Sequence, residues 1–328
     1  MSTLPKVYID GHVGTTGLRI REWLGPRQDI ELITIPEEQR KDSDARREHM
    51  LASDITVFCL PDDAAREAAA WVRESDTRLI DASTAHRVNP DWVYGLPELE
   101  QNQREKIRNA KLVSNPGCYS SSFILLTRPL IDAGVIAPDA PISIHALSGH
   151  SGGGRSLMER WEDPENQLST LPYEAPYAID KVHKHIPEMT KYSGMAHEPQ
   201  FEPAVGPFRC GMRVQVPLHA SLLQGHSSDV WEVLNDRYAG EPFVKVMPLL
   251  EPGTIEERSF SPQACNDTNG LQIHVVPHPS GHVMLMAILD NLGKGASGMA
   301  IQNLNLMLGF AETTGLPMVE TTPALVFA

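Results

Sequence analysis

Lys6-Val7-Tyr8-Ile9-Asp10, followed at once by Gly11-His12-Val13-Gly14-Thr15-Thr16-Gly17, is the stretch that decides the fold. The apolar run predicts a buried β-strand, and a helical pattern over residues 18–24 follows the glycines. This order is typical of a dinucleotide-binding unit, because glycines let the backbone approach a pyrophosphate and the helix N-terminus donates N–H groups to it. The predicted cofactor contacts of this turn are Gly11, Gly14, Thr15, Thr16 and Gly17. The spacing is G-x-x-G-x-x-G rather than G-x-G-x-x-G, so a glycine-rich turn without a ligand is the alternative.

Further strand and helix patterns alternate after the glycine turn. The predicted strands are residues 30–35, 54–60 and 78–81, and the predicted helices are residues 43–52 and 62–73. A β-α-β series with short connections predicts a parallel sheet covered by helices on both faces, which is a Rossmann-type α/β fold. Ligands of such sheets bind at the carboxyl ends of the strands.

The residues after the second predicted strand bear on the choice of cofactor. No acid follows that strand directly, and Arg40 and Lys41 come shortly after it. A carboxylate there would bind the ribose of NAD, whereas cations suit the 2′-phosphate of NADP. We therefore favour NADP (NADPH) with Arg40 as a contact, and a solvated helix start is the alternative. Ser83, just after the fourth predicted strand, is a further candidate cofactor contact.

A single thiol stands between a strand-like run and a helix-like run in Val113-Ser114-Asn115-Pro116-Gly117-Cys118-Tyr119. A helix N-terminus favours a thiolate, so we expect Cys118 to have a pKa below its free value and to act as a nucleophile. Asn-Pro-Gly predicts a tight turn that presents the thiol, and the Asn115 amide can donate to an oxyanion. The alternative is that Cys118 is one more small buried hydrophobic residue.

From about residue 140 the pattern changes to strands with one apolar face. The strand candidates are residues 142–147, 212–218, 243–246, 272–276 and 282–289, and one clear helix lies near 228–238. This alternation predicts an α+β domain with a mostly antiparallel sheet, and a final helix over 296–310 is expected to return to the first domain. We therefore predict a dinucleotide-binding domain formed by residues 1–117 and 296–328. Residues 118–295 are predicted to form the catalytic, substrate-binding and oligomerisation domain.

Two polar segments of the second half contain further candidate residues. Residues 148–155 are rich in donors and end in a guanidinium, so Ser151 and Arg155 are suited to an oxyanion or a carboxylate; a disordered glycine loop is the alternative. Residues 181–188 contain His183 and His185, whose i, i+2 spacing favours a strand. Either histidine could exchange a proton with a thiolate or a thiohemiacetal oxygen, and structural histidines are the alternative.

Composition argues against several classes of protein. The 328-residue chain has a formal net charge of −14, and an acidic surface repels phosphate backbones, so nucleic acid is not an expected partner. No apolar run is long enough to span a membrane, and the first residues lack the apolar core of a signal peptide. The four cysteines are scattered and no H-E-x-x-H occurs, which argues against a disulfide framework and a metal site and favours a reducing cytoplasm.

With these motifs assembled, the sequence resembles the N-acetyl-gamma-glutamyl-phosphate reductase family of arginine biosynthesis, and more closely the shorter, type 2, of its two subgroups. The resemblance covers nearly the whole chain and is specific through the order and spacing of its motifs. They are residues 11–17, 81–87, 94–99, 114–119, 148–155, 183–188 and 290–303. The glycine turn departs from the family in His12 and in Thr15-Thr16, which bears on how the nucleotide is oriented.

The resemblance implies a two-domain fold of the aspartate-semialdehyde dehydrogenase type. It also implies an NADPH-dependent reduction of an acyl phosphate to an aldehyde, with release of phosphate. Cys118 falls on the family's catalytic cysteine, and one of His183 and His185 falls on its acid/base histidine; we choose His185 and take His183 as a substrate contact. The expected partners are the small acyl-phosphate substrate and phosphate, and the chain is expected to form a homo-oligomer, a dimer or a tetramer.

Three alternatives stay open at this point. A reductase of the same fold that acts on aspartyl or aminoadipyl phosphate would share the thiol, the cofactor and the hydride transfer. A non-enzymatic Rossmann nucleotide sensor would contain an incidental thiol. A cysteine hydrolase would need no nucleotide, so NADPH titration separates it from the other readings.

Overall fold

The chain divides into two units in the computed structural model, which describes residues 4–250, 253–256 and 258–319. The first unit runs to Gly117 and resumes over Ala296–Leu316. The second comprises Cys118–Gly295 and, among the described residues, 317–319. The predicted nucleotide-binding domain extends to residue 328, of which 320–328 lie outside the described residues.

A parallel six-stranded sheet forms the centre of the first unit. Its strands are β1 (Lys6–Asp10), β2 (Glu31–Ile33), β3 (Ile55–Phe58), β4 (Arg78–Asp81), β5 (Val93–Tyr94) and β6 (Leu112–Ser114), in the order β2-β1-β3-β4-β6-β5. The helices between them are α1 (Thr15–Leu24), α2 (Ser43–Leu51), α3 (Asp62–Trp71) and α4 (Gln103–Asn109). The predicted parallel sheet is confirmed, since every adjacent pair of strands is parallel.

Continuous apolar runs explain this sheet. All four residues of β3 are buried, as are the last four of β1, because helices cover both faces of a parallel sheet. Helix α3 packs through its small residues Ala65 and Ala68, which join a core cluster with Phe58 and Leu79. The order β1-β3-β4 therefore aligns the carboxyl ends of three central strands along one edge, where ligands of such sheets bind.

Several boundaries of the first unit differ from the prediction, among them those of α1 and β2. Helix α1 begins at Thr15, three residues before the predicted start, because the glycine turn occupies only the residues before it. Strand β2 covers only Glu31–Ile33 of the predicted 30–35, and a short 3₁₀ turn at Glu37–Gln39 follows.

A mixed seven-stranded sheet forms the centre of the second unit. Its strands are β7 (Ser143–Gly149), β8 (Ala175–Pro176), β9 (Gln200–Gly206), β10 (Met212–Leu218), β11 (Val244–Val246), β12 (Leu271–Pro277) and β13 (Val283–Leu289), in the order β11-β12-β13-β10-β7-β9-β8. Only the pairs β7–β9 and β11–β12 are parallel, so the predicted mostly antiparallel sheet is confirmed. The helices are α5 (Cys118–Asp132), α6 (Arg155–Glu162), α7 (Ile186–Ser193) and α8 (Ser227–Tyr238).

The prediction of a single helix among these strands is wrong, because α6 and α7 also form. Helix α7 has Pro187 in its first turn and Gly194 at its end with a φ of +83°, which are the residues that usually begin and end a helix. The strand expected at His183 and His185 is wrong as well. These residues form the turn directly before α7, because the proline starts the helix there.

The chain returns to the first unit through a π-helix at Gly293–Ser297 followed by α9 (Gly298–Leu308). Every residue of α9 except Leu308 is buried. The helix packs against α4 and α1 and against β4, which accounts for an apolar sequence with few polar residues. A π-helical turn of this kind is uncommon and often marks a functional site.

Candidate active site

Gly11 at the end of β1 and Gly17 in the first turn of α1 close the connection between these two elements. Gly11 has a φ of +87°, and a Cβ there would stand 2.4 Å from the carbonyl oxygen of Cys59. A Cβ on Gly17 would stand 2.5 Å from the carbonyl oxygen of Gly11. Real Cβ atoms do not come so close, so both positions require glycine. The Gly14 N–H also donates to the Gly11 carbonyl at 3.1 Å, and the turn presents main chain rather than side chains at the end of β1.

The N-terminus of α1 suits an anion. Gly14 precedes the helix without a side-chain cap, and no acid occurs in its first turn. By contrast, the Asp42 carboxylate caps α2, and α3 begins with Asp62 and Asp63. Helix N-termini bind phosphate groups through their N–H donors and dipole. The structure thus brings the five predicted residues into one turn that fits a pyrophosphate, and their contact with a cofactor stays a prediction.

Two buried carboxylates end strands of the first sheet, and the sequence analysis did not assign them. Asp10 closes β1 and Asp81 closes β4, each in register with Phe58 of the strand between them. Arg46 Nη2 donates to Asp10 Oδ2 at 2.8 Å, and His86 Nδ1 lies 2.6 Å from Asp81 Oδ2. An acid at the last position of an apolar strand was the available signal, because such a residue is buried and needs a partner.

The predicted cofactor contacts Ser83 and Arg40 lie in different surroundings. Ser83 is buried, and its hydroxyl donates to Asp81 Oδ2 at 2.7 Å while its backbone N–H donates to Oδ1 at 2.9 Å. Arg40 is partly exposed, and its Nε lies 2.5 Å from the carboxylate of Glu37. An exposed ion pair of this kind contributes about 0–1 kcal/mol, so Arg40 can exchange Glu37 for a phosphate at little cost.

Asn115 is buried in the first unit and held by hydrogen bonds on each of its polar groups. Its Nδ2 donates to the Ala296 carbonyl at 3.0 Å, and its Oδ1 accepts from Asn303 Nδ2 at 3.1 Å. Its own carbonyl accepts from Arg87 Nε at 3.0 Å. The orientation of the amide is therefore fixed, with one of its two N–H bonds already used. The role of Asn115 as an oxyanion donor stays a prediction.

Cys118 is the first residue of α5, which places the thiol at the helix start that the sequence predicted. Cys118 is 9% exposed to solvent. A Cβ on Gly295 would stand 2.8 Å from the Cys118 Cβ, so only glycine lets the π-helical turn approach it. The Ser121 and Ser122 hydroxyls each donate to the Cys118 carbonyl at 3.1 Å. The backbone and Cβ of Cys118 thus lie in a packed site at the start of α5.

Aromatic and imidazole rings of the second unit pack together around Tyr119, the residue after Cys118, and we call them the ring cluster. Its members are Tyr119, Tyr177, His183, His185 and Phe201. The ring of Tyr119 lies 5.9 Å from that of His183 and 5.7 Å from that of His185, and the two imidazoles are 4.8 Å apart edge to face. Burial raises the pKa of Tyr177 to about 12, and a thiolate at Cys118 would raise it further. The predicted catalytic histidines and the thiol are therefore neighbours of the same tyrosines.

Hydrogen bonding fixes the tautomer of His183. Its Nδ1 accepts from the backbone N–H of His185 at 3.2 Å, so the neutral ring has its proton on Nε2. That Nε2 lies 3.4 Å from the Tyr177 hydroxyl, which donates to the Tyr119 hydroxyl at 3.3 Å. His183 is thereby committed to a chain of hydrogen bonds that orients the tyrosines. This supports the choice of His185 as the acid/base residue.

The segment of residues 148–155 is ordered, so the alternative of a disordered glycine loop is wrong. Strand β7 extends to Gly149, a 3₁₀ turn covers His150–Gly153, and Arg155 opens α6. Ser151 is buried, and its hydroxyl accepts from Asn291 Nδ2 at 2.8 Å. The Arg155 side chain is 72% exposed and its Nε donates to Glu159 Oε1 at 2.7 Å. Of the two predicted substrate contacts in this segment, Ser151 is therefore buried and Arg155 lies at the surface of the second unit.

The described residues contain neither a metal-binding cluster nor a membrane-spanning helix. Across 4–250, 253–256 and 258–319, no group of three or more His, Cys, Asp or Glu side chains could hold a metal ion. In the same ranges, no helix has the length and apolar character needed to cross a membrane.

Two family models match the chain, one in each half. The semialdehyde dehydrogenase NAD binding domain matches residues 7–110, and the semialdehyde dehydrogenase dimerisation domain matches residues 118–291. Curated relatives extend this match over almost the full length. N-acetyl-gamma-glutamyl-phosphate reductase 2 of Nostoc sp. is 45% identical and covers 95% of this chain and 99% of its own. N-acetyl-gamma-glutamyl-phosphate reductase of Brucella ovis is 46% identical and covers 93% and 99%.

The chain belongs to the N-acetyl-gamma-glutamyl-phosphate reductase family. The predicted family is confirmed, and the NAD binding domain indicates a nicotinamide cofactor. Solved structures agree on the fold: aspartate semialdehyde dehydrogenase II of Vibrio cholerae superposes with a TM-score of 0.70 at 16% identity, covering 94% of this chain and 99% of its own. The enzyme of Candida albicans, solved with NADP, gives a TM-score of 0.64 at 14% identity, covering 93% and 99%. The predicted α/β fold of the aspartate-semialdehyde dehydrogenase type is confirmed.

Proposed function

We propose that this member of the reductase family converts N-acetyl-L-glutamyl 5-phosphate to N-acetyl-L-glutamate 5-semialdehyde, with NADPH as the reductant and phosphate as the second product. The observation that supports it most directly is the thiol of Cys118 at the start of α5, packed against Gly295 and beside the ring cluster. The first unit holds the nucleotide in this proposal, and the second performs the chemistry.

The first step is attack of the Cys118 sulfur on the acyl carbon. The C–S bond forms while the bond to the phosphate oxygen breaks, so phosphate leaves and a thioester remains. A thiolate is stabilised at this position by the helix dipole and the N–H groups of the first turn of α5. The Cys118 N–H, or the amide of Asn115 three residues earlier in the chain, is the proposed donor to the oxyanion.

The second step reduces the thioester. Residues 11–17 would hold the nicotinamide cofactor, which would supply the hydride when bound. His185 gives a proton to the resulting oxyanion and takes it back as the thiohemiacetal collapses, which breaks the C–S bond and restores the thiolate. His183 holds Tyr177 and Tyr119 in place through its Nε2 proton. In this proposal His183 therefore positions tyrosines that line the substrate pocket, and His185 performs the proton transfer.

Several finer assignments belong to the same proposal. NADP is preferred over NAD because Arg40 can leave Glu37 for a 2′-phosphate, and Ser83 contacts the cofactor at the end of β4. Ser151 and Arg155 bind the substrate, the latter after giving up its exposed pair with Glu159. We also propose a homo-oligomer, a dimer or a tetramer, in the cytoplasm.

The decisive experiment is the reverse reaction, in which the purified chain oxidises an aldehyde in the presence of inorganic phosphate. We expect reduction of NADP to require phosphate, because phosphate must attack the thioester to release the acyl phosphate. Among N-acetylglutamate 5-semialdehyde, aspartate semialdehyde and aminoadipate semialdehyde, the first should have a kcat/KM higher by about a hundredfold or more, since buried polar contacts discriminate strongly. NADP should be used better than NAD.

Other outcomes of this experiment would support one of the alternative functions. A preference for another aldehyde of the panel assigns the related reductase of the same fold. Nucleotide binding without turnover of any of the three assigns a sensor, and absence of nucleotide binding removes the proposal altogether.

A further inference from the structure

Asp10 places a buried negative charge directly before the glycine turn. It is the last residue of β1, its carboxylate is 2% exposed, and the next residue is Gly11. Asp10 and Gly11 are consecutive, with Cα atoms about 3.8 Å apart, so the charge belongs to the residue next to the main chain that is proposed to face a pyrophosphate. A buried carboxylate in this position should repel a dinucleotide, and yet the family binds one through its NAD binding domain.

The negative charge of Asp10 affects Cys59, the residue that follows the neighbouring strand β3. Burial raises the pKa of the Cys59 thiol, and the charges of Asp81 and Asp10 raise it further. Cys59 directly follows β3, and its carbonyl is the group that a Cβ on Gly11 would strike. The negative charge of Asp10 therefore acts at the backbone against which the glycine turn packs.

Arg46 forms a bidentate ion pair with the Asp10 carboxylate. Its Nε lies 3.0 Å from Oδ1 and its Nη2 lies 2.8 Å from Oδ2. The guanidinium also stands over the ring of Trp71 at 4.9 Å, and the side chain is 11% exposed. Arg46 comes from the first turns of α2, 36 residues further along the chain, and is held from two sides in one orientation. A planar guanidinium is the cation best suited to such a pair.

We propose that Arg46 is a positioning residue for the cofactor: it neutralises Asp10 so that the pyrophosphate of the dinucleotide can bind at the glycine turn. Asp10 in turn holds α2 at the end of β1 through this pair. The role differs from that of Arg40, since Arg46 acts through Asp10 and need not touch the nucleotide. The inference rests on the proposed function only in requiring that a dinucleotide binds at residues 11–17.

The test is NADPH binding by the wild type, Arg46→Met, Asp10→Asn and the double variant, measured by fluorescence titration far below each melting temperature. Arg46→Met should raise the NADPH Kd by about tenfold or more, because the carboxylate is then uncompensated in a poorly screened position. Asp10→Asn should bind NADPH no more weakly than the wild type. The double variant should return to within about threefold of the wild type, since neither charge remains.

Arg27→Met is the matched control. Arg27 also forms a two-pronged pair with an aspartate, Asp29, and stands over an aromatic ring, Phe310, in the same unit. It lies in the loop before β2. This loop is at the amino ends of the parallel strands, whereas the glycine turn is at their carboxyl ends. Its loss should lower the melting temperature and leave the NADPH Kd unchanged.

Four outcomes overturn the inference: an unchanged Kd in Arg46→Met, failure of the double variant to regain affinity, equal loss in Arg27→Met, or loss of affinity in Asp10→Asn. If Arg46→Met does not fold, the double variant and Asp10→Asn still decide the question, because a direct cofactor contact made by Arg46 would weaken the double variant and one made by Asp10 would weaken both. A wild type that does not bind NADPH would contradict the proposed function instead.

Discussion

The starts of α1 and α5 share one design and differ in what they present. Each helix follows a strand and a turn that contains glycine. At α1 the turn is half-buried, lacks a capping side chain and offers backbone donors. At α5 the first eight residues are all buried, and the first of them is the thiol. The same local arrangement can thus hold an anionic ligand at an open turn or present a nucleophile in a packed site, depending on burial and on one side chain.

Close approach of glycine backbone is common to both sites. In the first unit, Gly17 allows the turn to fold against Gly11, and in the second, Gly295 allows the π-helical turn to approach Cys118. The two sites can therefore be disturbed independently, each by a single added methyl group. The comparison predicts that changes at α5 alter turnover and changes at α1 alter nucleotide affinity.

Cys118→Ser should have the largest effect. A serine alkoxide is much harder to generate than a thiolate at neutral pH, so kcat should fall by about a thousandfold or more. The NADPH Kd should stay within about twofold of the wild type, because the first unit is unchanged. Steady-state kinetics and fluorescence titration measure the two quantities.

Cys265→Ser is the control for loss of a thiol. Cys265 is fully buried, burial raises its pKa to about 12, and its Sγ donates to the Ile288 carbonyl at 3.4 Å. Its replacement should leave turnover nearly unchanged, and iodoacetamide should label Cys118 long before Cys265. Equal activity of Cys118→Ser and the wild type would refute the nucleophile, and preferential labelling of Cys265 would refute the lowered pKa of Cys118.

The next largest effects are expected from replacing the two histidines of the ring cluster, and the two replacements should change different kinetic constants. His185→Gln should lower kcat by about a hundredfold and remove one limb of the pH–rate profile, because it takes away the proton donor and acceptor. His183→Gln should act mainly on KM, by about tenfold, since it loosens Tyr177 without removing the proton transfer. Kinetics between pH 5 and 9 compare the two variants. A larger loss of kcat in His183→Gln, with the pH profile altered there instead, would exchange the two roles.

The sequence was sufficient for the parts of the structure that local patterns specify. Continuous apolar runs separated by short helical segments predicted the parallel sheet, and Asn-Pro-Gly before Cys118 predicted the start of α5. Strand β9 was missed because Pro203 interrupts its pattern, which proline usually does in a central strand. The neighbouring β8 pairs with only two of its residues, so β9 is close to an edge strand and tolerates the proline.

Pairings between distant elements were beyond local patterns. The pair of Arg46 with Asp10 spans 36 residues and depends on how α2 packs at the end of β1, which no periodicity specifies. The outward position of Arg155 was visible in principle. Glu159 stands four residues later, at the spacing of a surface pair on a helix, and the segment was not recognised as helical.

The smallest effects are expected from Gly17→Ala and Gly295→Ala, and they test the comparison most sharply. Overpacking costs about 1–3 kcal/mol at such positions, and both variants should lose stability in that range by urea unfolding. Gly17→Ala should raise the NADPH Kd by about tenfold, because the turn must open by a fraction of an ångström. The rate at which iodoacetamide labels Cys118 in the absence of nucleotide should not change.

Gly295→Ala should give the reciprocal result. The added methyl group pushes on the Cys118 Cβ, so labelling and kcat should each fall by about tenfold while the NADPH Kd is kept. Because each variant serves as the control for the other, a general loss of stability cannot produce the crossed pattern. If either substitution changed both readouts equally, the two helix starts would have to act as one site, and the division of labour between backbone binding at α1 and thiol chemistry at α5 would be wrong.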